Sequence, residues 1–229
     1  MPRLALRFKT ILLKYRHGTV KKRDGGRFAG RQEFTITVRN RCQAVLYRNA
    51  RRGKVSDVLA KATTYAIDGV QARRVTVEVD IRRGLPAFSV VGLPDAAVRE
   101  SRERVRAALL NEGFEFPQQR ITVNLAPADL QKAGPGFDLA IGGALLAASG
   151  QIDPAGLEDA ALVGELSLDG GVRDIRGALA IGEMAMQDGV GVLAVPAANA
   201  VEAALVSGLK VAAIERLSGL AAMAAGDWT

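Results

Sequence analysis

A chain of 229 residues, 48% hydrophobic and 24% charged, can bury a substantial core and has room for one large domain or a domain with an extension. A single cysteine, Cys42, excludes an intrachain disulfide or a cysteine-built zinc site, and the lone His17 excludes a multi-histidine metal centre or a histidine-based triad. The formal charge of +7 is unevenly held: residues 1–57 carry 16 Lys and Arg against 3 acids, net +13, and the remainder carries 15 against 21, net −6.

Residues 1–57 offer one strand, Phe34 to Val38, and a short apolar run, Ala44 to Tyr47, between the solvated stretches KKRDGGR and RNARRGK. Aromatic residues are not interleaved with these bases as a stacking surface requires, so the segment reads as a disordered or non-native extension rather than a nucleic-acid-binding arm. The basic start, broken by Arg7, Lys9 and Lys14, is a poor secretory signal.

From residue 58 the pattern is that of a folded domain. Thr64 to Ile67 is the expected first strand. Val75, Val77, Val79 and Ile81 alternate with polar residues as a half-buried second strand, and Ala87 to Val91, after the RRGLP turn, is the expected third, giving three antiparallel strands in succession. Pro94 and Asp95 open a helix, with Asp95 as N-cap and Gly113 as its stop. Val98, Ser101, Val105, Ala108 and Leu109 form its inner stripe, and Arg99, Arg102, Glu103 and Arg106 share the outer face, where Glu100 can also pair with Arg104.

RITVNLAP follows as a strand with Ile121, Val123 and Leu125 on one side. Then come the loop ADLQKAGPG and a helix from Asp138 to Ser149 that is apolar on nearly every side, hence a core helix. Its run Leu139 to Ala148 is about half the length of a membrane span. After Pro154 strands and helices alternate: ALVGELSL, a DGG turn, a helix near 176–188, VGVLAVP, a helix after Asn199, KVAAI and a last short helix. The class is α+β with an α/β-like C-terminal half.

No stretch meets the G-x-x-x-x-G-K-[ST] or G-x-G-x-x-G requirements, so no nucleotide site is visible. Glu158 and Asp159 read as ordinary surface acids. A serine–lysine dyad needs only a hydroxyl and a lysine of lowered pKa, and Lys61, Lys132 and Lys210 leave it open.

GLPDAAVRESRERVRAALLNEGFEFPQQ, RITVNLAPADLQKAGPGFDLAI and GELSLDGGVRDIRGAL resemble the N-terminal domain of the ComM/YifB family of magnesium-chelatase-like AAA+ proteins, from about Leu59 to the C-terminus. The resemblance implies a ribosomal S5 domain 2-like fold, shared with the proteolytic domain of Lon proteases. It marks Gly92, Pro94, Asp95, Asp129, Gly134 and Asp138 as structural motif positions. Where Lon-type proteases place the nucleophilic serine this chain has Gly136, and near the partner lysine it has Leu179, so no catalytic residue is expected.

The resemblance also implies a hexameric ATPase acting on DNA in branch migration during natural transformation. ATP and magnesium would be held by a AAA+ module; no metal or cofactor is expected in this chain, which would be the accessory domain alone, as a fragment or split gene product. Residues 1–57 fall outside the resemblance, and initiation at Val58 would make them non-native. The expected partners are a AAA+ module, neighbouring subunits and DNA, the last through Arg99, Arg102 and Arg106, with no membrane and a cytoplasmic location. Competing readings are a degenerate Lon-like peptidase using Lys132 or Lys210, and an RNA-binding protein working through the basic arm.

Overall fold

The computed structural model describes residues 34–38, 44–48 and 58–226. The expected extension lies almost wholly outside them; within it Phe34–Val38 (β1) and Ala44–Arg48 (β2) pair antiparallel. The rest is built on a seven-stranded sheet. In chain order its strands are Val58–Asp68 (β3), Gln71–Arg82 (β4), Ala87–Val91 (β5), Arg120–Ala126 (β6), Ala160–Leu162 (β7), Val192–Pro196 (β10) and Val211–Ile214 (β11). Their spatial order is β11-β10-β7-β3-β4-β6-β5. Glu165–Leu166 (β8) and Val172–Arg173 (β9) form a separate antiparallel pair across the DGG turn.

The period-2 pattern of β4 does what it promises. Val75, Val77, Val79 and Ile81 are buried on one face with Ile121, Val123 and Leu125 of β6 beside them. The opposite face carries a polar ladder in which Lys61 and Asn124 flank Glu78 at 2.9 and 3.0 Å and hold its carboxyl below the usual range.

The third strand is placed differently from the sequence expectation. β5 runs in the direction expected, but β6 lies between it and β4, pairing antiparallel with β4 over seven residues and parallel with β5 over five. The longer, fully alternating RITVNLA satisfies more of β4's free edge than AFSVV can, and the helix between β5 and β6 supplies the crossover that a parallel pair needs. The expected single strand ALVGELSL is also broken. Gly164 divides β7 from β8, and a Cβ there would lie 2.6 Å from Val172.

Among the described residues five α-helices cover the sheet. Ala96–Asn111 (α1), Asp138–Ala148 (α2) and Leu217–Ala224 (α5) share one core with the Val75–Ile81 face. Ala178–Gln187 (α3) and Ala200–Ala203 (α4) share a smaller core with Tyr65, Leu193 and Val195 on the other. Every residue of α2 is buried, as an all-apolar helix requires. No described helix is long and apolar enough to cross a membrane.

One buried group in this packing is left over. Thr64 is fully buried and its Oγ1 has no hydrogen-bond partner among the described residues. An orphaned buried hydroxyl costs about 1–3 kcal/mol. The isosteric Thr64→Val is therefore expected to raise stability by about 1 kcal/mol, read as a higher urea midpoint at unchanged slope.

Candidate functional site

The sequence points to two places: the KAGPG turn and the arginine face of α1. The turn is stitched to the end of β5. Gly92 has φ 97 and Leu93 φ 55; the Leu93 carbonyl accepts from Lys132 N at 3.2 Å, and Asp95 N donates to the Lys132 carbonyl at 3.0 Å. Asp95 does two jobs. One carboxylate oxygen caps α1 by accepting from Val98 N at 2.8 Å, and the other accepts from Gly134 N at 2.9 Å. Asp129, exposed in the preceding loop, contacts neither element through a described hydrogen bond.

Asp138, a motif position at the start of α2, does not cap that helix. α2 has Phe137 at its N-cap position with no side-chain capping bond. The Asp138 carboxylate, 0% exposed, instead accepts from Arg104 Nε at 2.6 Å and Nη2 at 3.1 Å, and from Leu166 N at 3.2 Å. Because Asp138 is already inside the first turn, its side chain reaches sideways to α1 and β8. Burial pushes its pKa up to about 6 against the opposing pull of Arg104, while the same contact raises that of Arg104. The expected Glu100–Arg104 pair exists at 3.9 Å and is the longer of Arg104's two ion pairs.

Gly136, where the resemblance expects the place of a Lon-type serine, is half-buried, and its carbonyl accepts from Gly164 N at 2.9 Å. A Cβ there would meet only Ile175, at 3.7 Å, so the missing hydroxyl is a matter of sequence and not of space. Leu179 is 38% exposed in the first turn of α3, and its N–H donates to Glu202 Oε1 at 3.0 Å. Lys132 is 0% exposed and its Nζ donates to the Pro127 carbonyl; no described serine or threonine hydroxyl bonds to it. Burial lowers its pKa, with Asp129 opposing. Lys210 is exposed.

Arg99, Arg102 and Arg106 all stand exposed on α1, as the helical spacing requires. They are not equivalent. Arg99 folds back to donate to the carbonyls of Pro94 at 2.9 Å and Asp95 at 3.3 Å, and Arg102 lies 3.5 Å from Glu103. Arg106 stacks over the ring of Phe116, 5.9 Å from its centroid. Nothing in the sequence pattern signals this partner: Phe116 sits in the NEGFEFPQQ loop, and only the fold carries it, with Phe88 of β5, to the helix. Together these residues line a cleft of about 130 Å³ between α1, β5 and that loop.

The fold is thus a mixed sheet with helices on both faces, carrying an exposed basic helix beside the KAGPG turn. The family model for subunit ChlI of Mg-chelatase matches residues 77–199, more than half of the chain, and the chain belongs to the ComM/YifB family of magnesium-chelatase-like proteins. It is 48% identical over 149 residues to the uncharacterized protein YifB of Salmonella typhimurium, covering 65% of this chain and 29% of that one. It is 47% identical over 150 residues to competence protein ComM of Haemophilus influenzae, again 65% and 29%, and 44% identical over 162 residues to an uncharacterized protein of Mycobacterium tuberculosis, 71% and 32%. The chain spans about a third of the length of these relatives.

Proposed function

We propose that the chain is a non-catalytic accessory domain of a ComM-like AAA+ assembly engaged in DNA processing, and that α1 is its DNA-docking face. ATP and magnesium would enter through the AAA+ module of that assembly, and the competence named for the Haemophilus relative is the process in which it would act. The observation that carries the non-catalytic part is the pairing of Gly136 and Leu179 at the positions of the Lon-type serine and lysine: neither a nucleophilic hydroxyl nor an amine is present to form and relay an acyl intermediate. The observation that favours DNA is the exposed arginine row, in which Arg99 and Arg106 have no carboxylate within salt-bridge distance among the described residues.

The test is duplex binding across a salt series. Each phosphate neutralised contributes about 0.9 to the slope of log K against log salt. Arg99→Ala, Arg102→Ala and Arg106→Ala combined should weaken binding at low salt and flatten that slope by roughly 2–3. Since Arg99 is turned toward its own loop, its single substitution should have the smallest effect. An unchanged slope in the triple variant would reduce the row to a solvated helix face.

A further inference from the structure

We infer that the cleft beside α1 is a stacking subsite for one unpaired base of a single-stranded nucleic acid, placed next to the arginines that hold its backbone. The inference rests on the DNA-docking reading of α1 and adds what that face reads.

The lining is unlike an ordinary helix-to-sheet seam. Phe88 and Phe116, both half-buried, stack at 6.2 Å between centroids and 28° between planes, giving a continuous aromatic wall at the surface. Arg106 lies across the Phe116 ring and Arg102 borders the same opening, so two guanidinium groups face the cleft and no acid lines it. An aromatic wall with a planar cation over it suits a flat, electron-rich, neutral ring that carries a phosphate, because the base takes the stacking and the arginine takes the charge. The cleft has a volume of about 130 Å³ and is open to solvent on one side, so a base can enter it from a strand lying along α1.

Two amides complete the opening. Gln118 Nε2 donates to the Phe116 carbonyl at 3.2 Å, which leaves its side-chain oxygen as a free acceptor, and the Gln119 side chain makes no described hydrogen bond. Both can meet the polar edge of a base. A duplex cannot use such a site without extruding a base, at a cost of a few kcal/mol, whereas a single strand offers its bases freely.

The experiment uses the full chain and four probes, with fluorescence anisotropy over a salt series: an oligothymidine of about 20 nucleotides, longer than the footprint of such a module, the same oligomer with abasic sites throughout, a duplex of that length, and AMP as competitor. The oligothymidine should bind about tenfold more tightly than the abasic strand, and this gap should persist at high salt, where attraction of the phosphates to the arginines and to the basic N-terminal segment fades. Phe116→Leu, which keeps apolar volume, should close the gap between the thymidine and abasic strands. Phe88→Leu provides a second variant should the first unfold, and the comparison of probes on the unaltered protein needs neither.

Equal binding of the thymidine and abasic strands overturns the stacking subsite but leaves phosphate docking standing. Binding of no strand at all removes both. Saturable competition by AMP at micromolar concentration would assign the cleft to a free nucleotide and overturn the single-strand assignment.

Discussion

Replacing Arg104 by Met is expected to destabilise the protein by about 3–5 kcal/mol at pH 8, because it leaves the Asp138 carboxylate buried without its counter-ion. Arg104 supplies two of the three hydrogen bonds that Asp138 accepts, and it is itself only 17% exposed, so water cannot simply take its place. The pH dependence is the sharper test. The folded-state pKa of Asp138 is about 6, above its ordinary 3.8, so between these values the folded protein holds a proton that the unfolded chain has released. The stability linked to that proton is fully present below 3.8 and is lost as pH rises through 6. Removing Arg104 raises the folded pKa further, since burial and the nearby Glu165 charge, both raising it, are then opposed by the Leu166 N–H alone. The penalty of Arg104→Met should accordingly be much smaller at pH 5 than at pH 8. Asp138→Asn in the same background should recover most of the loss at pH 8. Urea midpoints of the three proteins at the two pH values give the answer, and a penalty independent of pH would show that lost packing of the arginine stem, not the buried charge, is the cause.

This ion pair also shows where the sequence stops being informative. Local rules found α1 completely: its five buried positions follow the helical period, and Asp95 caps Val98 three residues on. They could not find Asp138 with Arg104, because the partners are 34 residues apart and Asp138 offers an equally good local explanation as a helix cap. The same limit hid the true neighbour of β5, since RITVNLA and AFSVV have the same alternation and period alone does not decide which strand lies beside β4. It hid Phe116 as well. In sequence that residue is part of a loop after Gly113, and it acquires meaning only when β5 and α1 close on it. What the family resemblance contributed was different in kind: it identified Gly136 and Leu179 as positions worth inspecting, which neither burial nor periodicity would single out.

A comparable loss is expected from a change of one carbon at Gly92. This residue has φ 97, and a Cβ on it would lie 2.1 Å from the Leu125 carbonyl oxygen and 2.9 Å from its carbon. Leu125 is held in β6 opposite Val77 of β4, in the middle of the sheet, so the backbone it belongs to has no room to retreat. Gly92→Ala must therefore part the end of β5 from β6, and with it the chain of contacts that begins at Leu93: the Lys132 N–H to the Leu93 carbonyl, the Asp95 N–H to the Lys132 carbonyl, and the Asp95 carboxylate shared by α1 and the Gly134 turn. The cost should reach about 3–5 kcal/mol, equivalent to a fall in Tm of roughly 10 °C for a domain of this size. Gly69 supplies the control. It has φ 63 in the β3–β4 turn, but nothing lies within 4 Å of a Cβ there, so Gly69→Ala bears only backbone strain of about 1 kcal/mol. Hydrogen exchange separates the two further. Gly92→Ala should expose the amides of Lys132, Asp95 and Gly134 together, because one approach of β5 to β6 secures all three, while Gly69→Ala leaves them protected. Equal thermal shifts in the two variants, with those amides still slow, would mean that the close approach at Gly92 is not what fixes the KAGPG turn.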